Sequence, residues 1–254
     1  METNNLNHVL VIKVGTSTHM DSRALCSIGA QVAERNRQGL GTIIVSSGAI
    51  AAGMKATGVT ERSKDMTELQ RLASIGWRHN LNNWASVLGN ITTGGMLVTR
   101  RELDLESERH ELIEVTRTML SHGDIVIANE NDVISHEEIA FGGNDMLAAT
   151  YAAKLAGSGL FASVGLILLS DIDGLYSDVN DATSVIRSVE NVNDVMHFAG
   201  GAGSLNGIGG MKTKLQAAQI ANDAGVTMWI ANGRTDNVIE HALAGEIGTT
   251  FQHH

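Results

Sequence analysis

The chain has no proline in 254 residues, where average usage would give roughly a dozen. Its turns therefore have to be made without a ring-fixed φ. The 28 glycines, helped by Asn and Asp, must supply the positive-φ and side-chain-bonded turns. Cysteine is almost absent as well: Cys26 stands alone, so no internal disulfide can form, and it reads as a core residue of a helix. Positive charge is scarce. A net charge of -10 and a pI near 5.4 leave no basic patch to meet a phosphate backbone, so nucleic acid and anionic membrane surfaces are not expected partners. The first residues lack a basic-then-apolar leader, and no apolar run approaches the length of a bilayer span. A cytoplasmic location is the expectation, which makes the Asn90-Ile91-Thr92 sequon a chance match.

What is present is a chain that is 43% hydrophobic and 18% charged, enough to bury a substantial core. One α/β domain over residues 1–254 is the expected organisation. Residues 8–14 read as a buried strand, a nearly continuous apolar run interrupted only by Lys13 and broken by Gly15. Residues 21–38 have Leu25, Ile28 and Val32 at helical spacing and stop at Gly39, a suitable C-terminal cap. A second strand at 42–45 runs into Ser46-Ser47-Gly48-Ala49, a strand-to-helix junction. Residues 68–88 predict one or two amphipathic helices, with Gly76 as a bend.

Further strands are predicted at 95–99, 125–128, 165–169, 226–231 and 247–251. Helices are predicted at 106–122, 147–155, 211–224 and near 237–243. Residues 178–195 are read as a variable stretch, and residues 200–210 contain six glycines. Alternation of this kind predicts an α/β three-layer sandwich around a mainly parallel central sheet.

In such sheets ligands sit beyond the carboxyl ends of the strands. Lys13, Ser47, the run Asn129-Glu130-Asn131-Asp132, and Ser170-Asp171 all fall at predicted strand ends. The segment Gly207-Ile208-Gly209-Gly210-Met211 leads into a helix and offers backbone N–H groups to an anion. Lys212 and Lys214 oppose the dipole of that helix unless an anion lies there. It is neither a P-loop nor a G-x-G-x-x-G fingerprint following the first strand. The ten histidines show no paired metal-ligand spacing, so no metal ligand is assigned.

Six segments stand in the order of the glutamate 5-kinases of the amino-acid kinase family, which the chain resembles from residue 9 to residue 251. They are Lys13-Val14-Gly15-Thr16-Ser17, the run from Ile44 through Ser46-Ser47-Gly48-Ala49 to Gly53, Asn129-Glu130-Asn131-Asp132, Gly142-Gly143-Asn144-Asp145, Ser170-Asp171-Ile172-Asp173-Gly174-Leu175-Tyr176, and Gly209-Gly210-Met211 through Lys214 to Ala218. The resemblance implies the amino-acid kinase fold, in a form without the C-terminal PUA domain. It also implies ATP-dependent phosphorylation of the glutamate γ-carboxylate, the first step of proline biosynthesis, with ATP and Mg²⁺ and a homodimer or homotetramer.

By position the resemblance implies that Lys13 and Lys214 face the transferring phosphoryl group and that Asp145 holds both lysines. It further implies that Ser170, Asp171 and the segment Ile208, Gly209, Gly210, Met211, Lys212, Thr213 and Lys214 meet the nucleotide. Ser47, Asp132 and Asn144 would meet glutamate. Three departures stand out: Gly143 replaces an acidic residue, Ile208 replaces a small polar one, and the stretch from Ser158 to Ser163 is a few residues longer than usual. Kinases acting on acetylglutamate, aspartate or carbamate are the neighbouring alternatives, and a non-catalytic ligand sensor or engineered scaffold is the alternative of another class.

Overall fold

The computed structural model describes residues 8–135, 143–200 and 210–253. The strands in chain order are β1 (His8–Val14), β2 (Gly41–Ser46), β3 (Thr93–Val98), β4 (Ile125–Glu130), β5 (Ser163–Ser170), β6 (Leu175–Tyr176), β7 (Val185–Ile186), β8 (Ser188–Val189), β9 (Thr227–Asn232) and β10 (Thr249–Phe251). Eight of them form one sheet in the order β3-β4-β2-β1-β5-β9-β10-β8, and β6 pairs with β7 as a separate ribbon. Every neighbouring pair in the large sheet is parallel except β9 with β10.

The helices are α1 (Thr16–His19), α2 (Ser22–Arg37), α3 (Ala49–Thr57), α4 (Met66–Leu88), α5 (Arg100–Asp104), α6 (Glu106–Ser121), α7 (Asn144–Gly157), α8 (Val192–Val195), α9 (Met211–Asp223) and α10 (Val238–Leu243). Side chains alternate across a strand, so each central strand feeds two cores. Val9, Val11, Ile43, Val45, Leu166 and Leu168 pack toward α6, α7 and α9, where they meet Leu120, Tyr151 and Leu215. Leu10, Ile12, Ile44, Ile127, Ile167 and Leu169 face the other way, toward α2, the end of α4 and α10, where they meet Ile28, Trp84 and Ile239. Helices thus cover both faces, and the expected three layers are present. Each of these large side chains contributes about 1.5–3 kcal/mol on burial.

Helix ends follow local chemistry. The Asp21 side chain accepts from the backbone N–H of Arg23 and Ala24 to start α2, and Gly39 ends it at φ 74°. Asp65 caps α4 in the same way through the Thr67 N–H.

Three expectations need correction. Residues 66–88 are one helix, and Gly76 is a contact point, not a bend. A Cβ there would lie 1.8 Å from the carbonyl oxygen of Ala49, and one at Gly53 would lie 1.9 Å from that of Leu72. Backbone touches backbone where α3 crosses α4, so neither position has room for a side chain. Cys26 is exposed on α2, because it falls on the solvent side of the Leu25–Ile28 stripe. The stretch 178–195, read only as variable, holds β7, β8 and α8.

Candidate active site

Lys13 follows Val9 and Val11 on one face of β1, so the strand carries its ammonium group to the side covered by α7 and α9. A charge buried there is costly unless paired. Asp145, in the first turn of α7, supplies the pairing with its two oxygens. Oδ1 lies 2.7 Å from Lys13 Nζ and Oδ2 lies 3.0 Å from Lys214 Nζ, with side-chain exposures of 2% for Asp145, 12% for Lys13 and 7% for Lys214. Burial alone would raise the Asp145 pKa, but the two ammonium groups outweigh it and hold the carboxyl below its ordinary range. One carboxylate therefore keeps two like charges side by side.

The first turn of α9 completes this end. Gly210 caps the helix, and the Thr213 hydroxyl donates to the Gly210 carbonyl at 2.9 Å and reaches Asp145 Oδ2 at 3.4 Å. Lys214 is buried, whereas Lys212 is exposed, which separates two lysines that sequence spacing treats alike. Met211 is half-buried at the start of the same helix. Ile208 and Gly209 lie outside the described residues.

The second cluster forms where β2 ends. Ser47 N–H donates to the Val14 carbonyl at 3.1 Å, extending the β1–β2 ladder by one step. Gly48 then turns at φ 92°, in the left-handed region open to glycine, and α3 begins. Asn144 grips this turn from α7. Its amide nitrogen donates to the Ser46 carbonyl at 3.2 Å, to Ser47 Oγ at 3.1 Å and to Asn129 Oδ1 at 3.1 Å, while its oxygen accepts from Glu130 N–H at 3.3 Å. Ser47 and Asn144 are thus in direct contact. Asp132 is buried in the turn after β4, its N–H bonded to the Glu130 carbonyl at 3.0 Å. Asn144 and Asp145 are adjacent, so α7 joins the serine turn to the lysine pair.

Ser170 ends β5 on the same rim. Its carbonyl accepts from Gly233 N–H at 2.9 Å, and its hydroxyl donates to the exposed Asp171 at 3.2 Å. A Cβ on Gly15 would lie 3.9 Å from both Lys13 Nζ and Ser170 Cα, so Lys13 and Ser170 flank one glycine. Among the described residues no three His, Cys, Asp or Glu side chains gather into a metal cage.

Behind the serine turn four side chains form a network that the sequence reading did not assign, and His19 and Asn80 had no role in that reading. Trp84 Nε1–H donates to Ser46 Oγ at 3.0 Å, and Ser46 Oγ lies 3.5 Å from His19 Nδ1. His19 Nε2 lies 3.1 Å from Asn80 Oδ1, and Asn80 Nδ2 donates to the Ser47 carbonyl at 3.1 Å. All four side chains are buried. Burial lowers the His19 pKa from 6.5 to about 4, against a smaller upward pull from Asn80, so the ring is neutral near pH 7. The signal available in the sequence was a polar residue, Asn80, on the buried stripe between Leu72 and Trp84.

Residues 8–232 match the Amino acid kinase family. Over 95% of its length the chain is 41% identical to the glutamate 5-kinase of Clostridium acetobutylicum, covering 93% of that protein, and 37% identical to that of Symbiobacterium thermophilum, covering 95%. It is 38% identical to the glutamate 5-kinase of Thermus thermophilus, covering 66% of a longer protein. Solved structures share the fold at lower identity. Carbamate kinase from Giardia lamblia superposes with a TM-score of 0.64 at 15% identity, over 99% of this chain and all of that one. N-acetylglutamate synthase from Neisseria gonorrhoeae gives a TM-score of 0.69 at 16% identity, over 97% of this chain and 61% of that one. With the match spanning β1 to β9 and the relatives agreeing, the chain belongs to the amino acid kinase family.

Proposed function

We propose that the chain transfers the γ-phosphoryl group of ATP to the side-chain carboxylate of L-glutamate, giving L-glutamyl 5-phosphate and ADP, the opening reaction of proline biosynthesis. The observation that carries this reading is Asp145 bridging Lys13 and Lys214 at 2.7 and 3.0 Å beside the turn that presents Ser47, which Asn144 holds from α7. The acceptor side chain has an ordinary pKa near 4.3, so it is already ionised near pH 7 and needs no general base. A carboxylate oxygen bonds to the γ-phosphorus as the bond from that phosphorus to the β,γ-bridging oxygen breaks, and ADP leaves with those electrons. No proton has to move.

What opposes the reaction is the approach of two anions, so the help required is cationic and positional. Lys13 and Lys214 supply compact positive charge toward the phosphoryl oxygens, and Asp145 keeps both charged and aimed. Asp145 stays a carboxylate throughout, as its lowered pKa requires. Thr213, Met211, Lys212 and Gly210 at the start of α9, with Ile208 and Gly209 before them, are assigned to the nucleotide phosphates. Ser170 and Asp171 at the end of β5 are assigned to the nucleotide as well. Ser47, Asp132 and Asn144 are assigned to glutamate. Mg²⁺ is assigned to the nucleotide as MgATP. The reading includes one kinase domain over residues 1–254, a cytoplasmic location, and a homodimer or homotetramer.

ATP-dependent hydroxamate formation with hydroxylamine, run on glutamate, N-acetylglutamate and aspartate, tests it. Glutamate should give product, and Lys214→Ala should lower the rate by about 10²–10³-fold. Turnover of N-acetylglutamate without glutamate would overturn the substrate assignment. Turnover of none of the acids would overturn the enzyme assignment, and an unchanged rate in Lys214→Ala would remove that lysine from the mechanism.

A further inference from the structure

The chain of hydrogen bonds behind the serine turn has one internally consistent direction. The Ser47 carbonyl can only accept, so Asn80 turns its NH₂ to it and its Oδ1 to His19 Nε2, which must carry the ring proton. His19 Nδ1 is then an acceptor 3.5 Å from Ser46 Oγ, which accepts from Trp84 Nε1–H and has the Ser47 carbonyl, also at 3.5 Å, as a second acceptor for its own proton. Reversing the amide would set its oxygen against the Ser47 carbonyl and leave that carbonyl without its donor.

The same ring lies beside the turn that carries Ser47: a Cβ on Gly48 would lie 3.7 Å from His19 Cδ2. Asn144 holds that turn from the other side. An apolar pair would fill this buried space without the desolvation that four polar side chains incur, so the arrangement is one that specifies orientation.

We infer that His19 and Asn80 are positioning residues for the acceptor site: they set the orientation of Ser47 from behind, without touching substrate, and thereby set the affinity for the acceptor acid while leaving the nucleotide end unaffected. The inference rests on glutamate being that acceptor. It concerns Ser47 alone.

The test compares His19→Leu/Asn80→Leu, an apolar filling of the same space, with His19→Gln, which restores an N–H donor to Asn80. Steady-state constants are measured for both substrates, with amide hydrogen exchange over residues 46–48 as an activity-independent readout. In the double variant KM for glutamate should rise about tenfold, the equivalent of one buried hydrogen bond, while KM for ATP and kcat change less than about threefold. Exchange at 46–48 should quicken more than in the strands, and His19→Gln should lie near the parent in both readouts. An unchanged KM for glutamate in a folded double variant, a parallel rise in both KM values, or a His19→Gln variant as impaired as the double would overturn the inference. If the double variant does not fold, Asn80→Ala is read in its place by the same criteria. If the parent turns over no glutamate, the substrate reading fails by itself, and exchange at 46–48 decides the network: quickened exchange supports it and unchanged exchange overturns it.

Discussion

Replacing His19 by Gln should flatten the acid limb of the stability curve. The folded ring has a pKa of about 4 against 6.5 when free, because burial strips its charged form of water and no charged group faces it among its partners Asn80, Ser46, Trp84 and Gly48. Between those values the unfolded chain binds a proton that the folded chain refuses. Stability is therefore undisturbed above pH 6.5 and is lost as pH falls from there toward 4. The full shift corresponds to about 3 kcal/mol, and about 2 kcal/mol of it is lost between pH 8 and pH 5. Asp145 acts in a separate window, since its lowered pKa places its loss below the ordinary carboxylate value of 3.8. Urea unfolding at pH 8 and pH 5 measures the difference, with the exposed titrating groups common to both proteins. The parent should lose about 2 kcal/mol more than His19→Gln over that interval. An equal loss in the two proteins would show that His19 is not buried as a neutral ring, and would refute the hydrogen-bond direction assigned to it.

Two other substitutions probe other parts of the molecule. Asp145→Asn leaves two buried ammonium groups facing each other, so it should lower kcat by about 10²-fold or more and destabilise the fold by about 3–5 kcal/mol; a rise in KM for glutamate with kcat preserved would contradict its assigned role. Gly76→Ala puts a methyl group where the Ala49 oxygen lies 1.8 Å away, and forcing α3 from α4 should cost about 1–3 kcal/mol or more in urea unfolding; an unchanged midpoint would mean that the helices do not cross so closely.

The layers of the fold were legible because the central strands are apolar on both faces, a pattern that leaves few alternatives to a covered parallel sheet. Lys13 stood out as a charge within such a run, and Gly39 and Gly210 marked helix ends that the structure contains. Other features were hidden because they depend on what lies across the gap. Gly76 has the same local signature whether it bends a helix or admits a neighbour, and only the position of Gly53 decides. Cys26 adjoins an apolar stripe, and one position of helical phase separated core from solvent. Lys212 and Lys214 differ by two residues on α9, enough to send one outward and the other to Asp145. The His19–Asn80 pair joins residues 61 apart in sequence, and nothing local to either announces the other.

The sheet order also dictates a history. β1 leaves the ribosome before the other strands yet ends between β2 and β5, so its second edge stays open until Ser163–Ser170 has been made. Until residue 145 has been made Lys13 has neither Asp145 nor Lys214 beside it, and its strand exposes an apolar run along an unpaired edge. Asp145 arrives before β5, and Lys214 only with α9. The bridged lysines are thus among the last contacts of the nascent chain, so a polypeptide halted before residue 211 would carry the serine turn, Lys13 and Asp145 but not Lys214.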